Sequence, residues 1–390
     1  MRRRSSVGRV LSPHIMRRKL YIHERPDWRT FRWGGEQLVL ALTGVRHKQG
    51  LLLGRMKGLG LGLRAEANLA GLTSDVVKSF AIEGEALSVD EVRSSLARRL
   101  GLDIAGLPKA SRRVDGVVEM TLDATRNCGT PLSSERLFGW HAALFPTGRS
   151  ALGRITVGGW RTAESGPMQV VSGPIGRETV HFEAPGAERL AAEMEAFLEW
   201  FNAPCATDPV LKAGIAHLWF VTVHPFDDGN GRLARAIADM ALARADGTPE
   251  RFYSMSSQLE AERKDYYAAL ESAQRGELDI TAWLLWFFGC LDRALDSAEL
   301  LLAAVLRKAR LWERINVRPV NERQRLVINR MLGDFEGMLS TSKYAKLAKC
   351  SQDTAHRDVL ELVGRGILVK NEAGGRSTSY RLGEAAQFAP

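Results

Sequence analysis

The chain has 390 residues, enough for two or three domains and a sizeable core, and its 45% apolar and 25% charged residues are ordinary for a soluble globular protein. The four cysteines are scattered with no Cys-x-x-Cys pair, which argues against a zinc site or a disulfide scaffold and fits a reducing, cytoplasmic compartment. The longest apolar run, 282–291, is about half a membrane span, so it predicts a buried helix and no membrane partner.

The net charge of +9 is concentrated at the start of the chain. Residues 1–20 hold seven Lys or Arg, and no acidic residue precedes Glu24. Residues 1–15 are therefore predicted to be a basic disordered extension, or to lie upstream of a working start at Met16; such a stretch could also bind nucleic acid or lipid head groups. Without residues 1–20 the charge is +2 (9 − 7), so the pI of about 9.6 says little about partners.

Residues 16–105 are predicted to form a helical N-terminal domain. Aromatic residues near its start suit a small core, and a helical pattern follows them. Residues 73–84 are predicted to be a short helix, because Thr73, Ser74 and Asp75 are good caps at its start and Gly84 can end it in the left-handed conformation.

Residues 106–305 are predicted to be the central domain. Helical patterns cover 134–145, 188–202 and 209–223. The pattern of residues 168–185 predicts two short strands around a Gly/Pro turn. Without other information, this segment is interpreted as a plain surface hairpin.

The most informative segment is 224–235, His-Pro-Phe-Asp-Asp-Gly-Asn-Gly-Arg-Leu-Ala-Arg, which leads into a helical pattern. A helix N-terminus with free N–H groups binds anions. Gly229 and Gly231 let the backbone approach an anion and adopt positive φ. Asp228 is a hard oxygen ligand suited to Mg²⁺, and Asn230 can donate to a phosphate oxygen.

The same segment supplies a base and two arginines. Arg232 and Arg235 share a helix face and suit a polyphosphate, His224 can take a proton near neutral pH, and Phe226 is expected to anchor the loop in the core. Taken singly, a Gly-Asn-Gly is usually a turn, a lone His is more often structural, and paired arginines often form a solvated face. Their conjunction at this spacing indicates phosphate chemistry, although the chain has no Walker loop.

Residues 320–390 are predicted to be a separate unit after a hinge near 317–319. Two helical patterns around a tight turn, then two strands around Gly374 and Gly375, resemble a winged helix-turn-helix.

DNA binding through residues 340–382 is one interpretation of that unit. Residues 321–390 hold 11 Lys or Arg and 8 Asp or Glu, a modest net charge of +3 (11 − 8), and the presumed recognition helix carries Asp353 and Asp358. Docking of a protein, or dimerisation, is the other interpretation.

Segment 224–235 resembles the Fic family motif, His-x-Phe-x-(Asp/Glu)-Gly-Asn-Gly-Arg-x-x-Arg, and matches it at every fixed position. The resemblance implies a mainly α fold, in which a helical Fic core over 132–290 carries a β-hairpin flap. It also implies transfer of AMP from ATP to a Ser, Thr or Tyr hydroxyl of a target protein, with His224 as the general base and Asp228 as the Mg²⁺ ligand. The predicted phosphate-binding residues are Asp228, Gly229, Asn230, Gly231, Arg232 and Arg235.

Ser79-x-x-x-Glu83-Gly84 matches the family's inhibitory motif, (Ser/Thr)-x-x-x-Glu-(Gly/Asn). By composition alone, Ser79 and Glu83 would be one exposed i,i+4 pair. The resemblance instead implies that Glu83 pairs with Arg235 in the γ-phosphate position, so that ATP binds badly until the helix moves. The run 21–56 also resembles the N-terminal domain found ahead of many bacterial Fic domains.

The hairpin 168–185 resembles the family's flap, which pairs with an extended target segment by β-augmentation. Residues 265–274 resemble the segment that lines the adenine pocket, although Gln274 stands where the family often has Asn. The further predicted nucleotide contacts are Val171, Ser172 and Gly173 in the flap, and Tyr266, Tyr267 and Gln274.

The sequence therefore predicts an ATP- and Mg²⁺-dependent protein adenylyltransferase that Glu83 inhibits, and a homodimer is one of the partner expectations. Two alternatives stay open. One is a Fic enzyme that transfers another group or removes AMP; the other is a DNA-binding regulator whose Fic core senses nucleotide.

Overall fold

The computed structural model describes residues 20–102, 108–150, 153–173, 177, 179–204, 207–332, 335, 337–371 and 378–383. It is mainly helical, as the sequence predicts. The helices are α1 (Gly35–Lys57), α2 (Leu61–Ile82), α3 (Val89–Leu100), α4 (Arg112–Arg126), α5 (Ser134–Leu144), α6 (Leu190–Asn202), α7 (Pro209–Val223), α8 (Asn230–Asp246), α9 (Met255–Ala261), α10 (Arg263–Gln274), α11 (Thr281–Asn316), α12 (Glu322–Met331), α13 (Thr341–Ala348) and α14 (Gln352–Gly364). Within the described ranges, none of them is both long enough and apolar enough to cross a bilayer.

The strands are short and form three small antiparallel sheets in the described residues. They are β1 (Arg149–Ser150), β2 (Gly153–Arg154), β3 (Gln169–Ser172), β4 (Thr179–Glu183), β5 (Leu339–Ser340), β6 (Leu368–Lys370) and β7 (Ser379–Leu382). β1 pairs with β2, β3 with β4, and β7 lies between β5 and β6. The sequence did not predict the β1–β2 pair.

Contacts along the chain divide it into two units. Of the described residues, one unit contains those up to 51 together with those within 72–295, and the other contains 52–71 and those within 296–390. The domain boundaries predicted from the sequence stay predictions.

Helix α7 is the centre of the first unit. Asp208 caps its start by accepting from the Val210 N–H at 2.8 Å, Pro209 occupies the first turn, and residues 210–223 are all buried. A helix that is apolar all round is buried all round. Helix α7 packs on α8, and α8 in turn packs on α4 and α5, so the loop between α7 and α8 leaves from the middle of the core.

The prediction of a short helix over 73–84 is wrong in its start, because this segment is the end of the longer helix α2. The helix begins at Leu61, and the predicted capping residues lie inside it. Asp75 is buried and accepts from the Ser254 hydroxyl at 2.7 Å and the Ser256 N–H at 3.1 Å, so its carboxylate serves the start of α9 instead of its own helix. The predicted end is confirmed, because Gly84 has φ of 78°.

The β3–β4 hairpin confirms the two predicted strands; residues 174–176 and 178, in its Gly/Pro turn, lie outside the described residues. Arg275, which caps the end of α10, donates to the carbonyl oxygens of Val180 and His181 at 3.0 and 2.8 Å. His181 also bridges the Ser172 hydroxyl at 2.6 Å and the Glu271 carboxylate at 3.0 Å. Side chains of α10 therefore hold β4 along one side.

The second unit has its own apolar core around Val327, Tyr344 and Val359. Its helices and three-stranded sheet occur where the sequence predicts two helices and two strands, but Gly374 and Gly375 lie outside the described residues and the winged-helix assignment stays a prediction.

Asp358 of α14, the presumed recognition helix, does not face outward as a recognition residue would. Asp358 is buried and accepts from Arg323 Nε at 2.9 Å and from the Tyr344 hydroxyl at 3.1 Å. It therefore faces the core of the unit and not a partner.

Candidate active site

The loop between α7 and α8 is held by its own asparagine. Asn230 accepts from the Phe226 N–H at 3.0 Å and donates to the Phe226 carbonyl at 2.8 Å, while the Phe226 ring is fully buried. The core anchor predicted for Phe226 is confirmed. The amide nitrogen of Asn230 carries a second N–H, so the phosphate contact predicted for this side chain stays a prediction.

The two glycines of the loop have different reasons to be glycine. Gly229 caps α8 with φ of 82°, and a Cβ there would lie 2.9 Å from the Phe145 ring. Gly231 is helical, so the positive φ predicted for it is wrong. A Cβ at Gly231 would lie 2.5 Å from the Glu83 carboxylate, so Gly231 leaves room for an anion at the first turn of α8.

His224 ends α7 in the left-handed conformation, with φ of 51°. Its Nδ1 lies 3.1 Å from the Val221 carbonyl oxygen, which can only accept, so Nδ1 carries the proton and Nε2 has a free lone pair. Burial lowers the pKa of His224 to about 4. The imidazole is therefore neutral at pH 7 and able to accept a proton through Nε2.

Asp228 lies beside the start of α8. Its Oδ1 accepts from the Gly229 N–H at 2.6 Å and lies 3.4 Å from Arg232 Nη2. Its backbone carbonyl lies 3.1 Å from Nε2 of His141, whose ring stacks on Phe226 at 4.2 Å. Within the described residues, no group of three or more His, Cys, Asp or Glu side chains could hold a metal ion. A cation here would have one protein carboxylate, which is a common arrangement for Mg²⁺ bound with substrate phosphates.

Arg235 is bonded to α2 in the manner that the family resemblance implies. Its Nη2 lies 2.8 Å from Glu83 Oε1 and 2.8 Å from the Ser79 carbonyl, and its Nε donates to the Ser79 hydroxyl at 2.9 Å. Burial works against the charge on Glu83, but Arg235, together with Arg232 and Arg263, outweighs it and holds the pKa of Glu83 below its ordinary value. Ser79 is itself buried, so the exposed pair that composition alone suggests is wrong.

Arg232 has a partner that the sequence analysis missed. Its Nη1 lies 3.1 Å from Glu85 Oε1, and its guanidinium lies 5.0 Å from the ring centres of Phe80 and Phe145. Only 2% of the Arg232 side chain is exposed. The one signal in the sequence was a second carboxylate two residues after Glu83.

The predicted adenine-pocket residues lie on α10 but differ in accessibility. Tyr266 is 1% exposed and its hydroxyl is 2.8 Å from His217 Nε2, whereas Tyr267 is 39% exposed. Gln274 is buried, and its Nε2 lies 3.4 Å from the Thr222 hydroxyl of α7. Of the three, Tyr267 is the one whose ring is open to a ligand. In the flap, Val171, Ser172 and Gly173 are exposed on the β3 end of the hairpin.

Comparison with known proteins matches two segments of the chain. A family described as Fic/DOC matches residues 131–242, and a domain of unknown function, DUF4172, matches residues 21–102. The curated relatives include the protein adenylyltransferase fic-1 of Caenorhabditis elegans, 29% identical over 205 residues, which are 52% of this chain and 37% of the relative. They also include the protein adenylyltransferase Fic of Nematostella vectensis, 34% identical over 117 residues, which are 29% of this chain and 25% of the relative.

The chain thus spans well under half of the length of these curated relatives. Among solved structures, a Fic family protein from Desulfovibrio desulfuricans G20 aligns with 88% of this chain and 95% of its own, at 20% identity and a TM-score of 0.49. Residues 131–242, which hold the complete motif of 224–235, are thus the part of the chain that matches the Fic/DOC family.

Proposed function

We propose that this protein transfers AMP from ATP to a hydroxyl group of a target protein. The observation that carries the proposal is the α7–α8 loop, in which a neutral histidine with a free Nε2 lies beside a helix N-terminus and two buried arginines. The curated relatives are named protein adenylyltransferases, which agrees with this chemistry.

His224 is the general base of the proposed reaction. Nε2 takes the proton of the target hydroxyl as its oxygen bonds to the α-phosphorus of ATP. The bond from that phosphorus to the bridging oxygen breaks, and pyrophosphate leaves. The hydrogen bond from Nδ1 to Val221 fixes the ring in the tautomer that this step needs.

The start of α8 and its two arginines bind the phosphates. Arg232 Nε and Arg235 Nη1 are buried and have no hydrogen-bond partner among the described residues, so each guanidinium retains a donor for a phosphate oxygen. Asp228 would hold Mg²⁺ against the phosphates, where the cation neutralises charge on the leaving group.

Glu83 makes the proposed enzyme autoinhibited. Its carboxylate lies against Gly231 and Arg235, which places an anion of the chain itself where a phosphate would bind. ATP must therefore displace Glu83 before its terminal phosphates can reach Arg235.

The β3–β4 hairpin is the proposed docking site for the target. Arg275 occupies carbonyl oxygens of β4, whereas β3 pairs only with β4 among the described residues. The outer edge of β3 is therefore the edge that an extended segment can join. Dimer formation, and DNA binding by residues 340–382, remain expectations for other partners.

The test is transfer of label from α-labelled ATP to proteins of a cell lysate. Glu83→Gly should raise the labelling of a target or of the chain itself, and His224→Ala added to it should abolish the labelling. Labelling that persists after the loss of His224 would contradict the proposed role of His224 as the general base. A matched panel of UTP, CTP and a choline nucleotide, with the added mass measured on the product, tests which group is transferred.

A further inference from the structure

Glu85 forms a bridge between two arginines at the edge of the proposed nucleotide site. One carboxylate oxygen lies 3.1 Å from Arg232 Nη1, and the other forms an ion pair with Arg113 of α4. Both guanidinium groups lie over the Phe80 ring, with Arg232 at 5.0 Å and Arg113 at 5.6 Å from its centre. Arg113 is outside the Fic motif.

Arg232 has a second carboxylate nearby, since its Nη2 lies 3.4 Å from Asp228 Oδ1, whereas Arg113 is paired here with Glu85. Loss of the Glu85 contact would therefore remove this ion pair from Arg113. Burial is the main cause that lowers the pKa of Arg113, and the neighbouring charge of Arg232 lowers it further. An anion with more than one negative charge would satisfy both guanidiniums better than one carboxylate does.

The end of α2 explains how Glu85 reaches this position. Gly84 donates to the Ala81 carbonyl at 2.9 Å and Glu85 donates to the Phe80 carbonyl at 3.1 Å, which is a Schellman motif. The turn presents Glu83 to Arg235 and Glu85 to Arg232. Two carboxylates thus lie in series on the motif arginines, as successive charges of a polyphosphate would.

We propose that Arg113 is a third phosphate-binding guanidinium of the nucleotide site, which Glu85 masks in the free chain. The inference rests on the proposed function and names the ligand group as the terminal phosphate of a nucleoside triphosphate. Only 2% of the Arg232 side chain is exposed but 46% of Arg113 is, so Arg113 is free to reorient toward that phosphate once Glu85 leaves.

The experiment measures binding by calorimetry in the full chain carrying Glu83→Gly and Glu85→Gln, with AMP, ADP and a nonhydrolysable ATP analogue as probes. Adding Arg113→Met should weaken binding of the ATP analogue about tenfold and leave AMP binding unchanged. Arg113→Lys should give an intermediate loss, because it keeps the charge but not the fork. The matched control is Arg112→Met, since Arg112 is an exposed neighbour on the same helix.

Three outcomes separate this inference from the proposed function. Equal affinity of the ATP analogue with and without Arg113 would overturn the inference while the proposed function stands. An equal loss for AMP and the ATP analogue would also overturn it, because Arg113 would then not act on the terminal phosphate. A selective loss for the ATP analogue supports it even if AMP transfer fails, since the readout is binding alone.

Discussion

The Glu83–Arg235 contact predicts how much the chain weakens its own binding of ATP. Removing one partner of a fully buried ion pair costs about 3–5 kcal/mol, and an exposed pair contributes about 1 kcal/mol or less. Arg235 is 3% exposed but Glu83 is 30% exposed, so the pair lies between these limits. We take about 2 kcal/mol as the free energy by which the Glu83–Arg235 pair favours the closed site. This corresponds to about a 30-fold change in the apparent dissociation constant of ATP.

Replacing Glu83 with Gln should therefore tighten binding of a nonhydrolysable ATP analogue by about 30-fold. The apparent dissociation constant is the intrinsic one divided by the fraction of chains whose site is open, and the substitution brings that fraction close to one. Isothermal titration calorimetry of the natural chain and the variant measures the ratio directly. Binding of AMP, which has no terminal phosphates to compete with Glu83, should change much less.

A matched control removes the same charge elsewhere. Glu195 is exposed on α6, so Glu195→Gln tests whether a change of net charge alone alters the affinity. Equal affinities of the natural chain and the Glu83→Gln variant would refute the competition between Glu83 and the nucleotide. So would a gain of similar size in the control.

Two further predictions concern the loop itself. Asn230→Ala leaves the buried N–H and carbonyl of Phe226 without partners, so urea denaturation should show a loss of about 3 kcal/mol in the free energy of unfolding, and an unchanged midpoint would contradict the role given to Asn230. In the Glu83→Gln variant, the rate of AMP transfer should stay level from pH 8 to about 5 and fall as His224 takes up a proton near its pKa of about 4. A decline centred near pH 6.5 would show that His224 titrates as an ordinary exposed histidine.

Contacts within a few residues were predictable from the sequence. The helix boundaries around the site follow from local rules: Asp208 and Pro209 start α7, and Gly84 ends α2. Phe226 had to be buried because it is the one large apolar residue among polar neighbours in its loop. The Glu83–Arg235 pair was predictable only through the family motif, because 152 positions separate the two residues.

Most of the errors have a common physical cause, which is that a polar side chain has several partners available and tertiary structure selects one. Thr73 and Asp75 are good caps, but α2 already extends from Leu61, so Asp75 bonds to α9 instead. Gly231 was expected to have positive φ, but it lies within α8 and is helical. Asp358 lies on a helix predicted to meet a partner, yet its partners are within the unit.

The proposed inhibition and the folding of the chain depend on the same contacts at this site. Arg232 and Arg235 are almost fully buried before any nucleotide binds, and a buried guanidinium is costly without an anion. Glu83 and Glu85 supply those anions from the end of α2, so the arginines are held in place for phosphates while the chain is free. A binding site for a polyanion that is assembled before its ligand arrives therefore needs carboxylates of the chain itself. The segment that supplies these carboxylates will compete with ATP, because the same charges stabilise the free site and occupy the arginines.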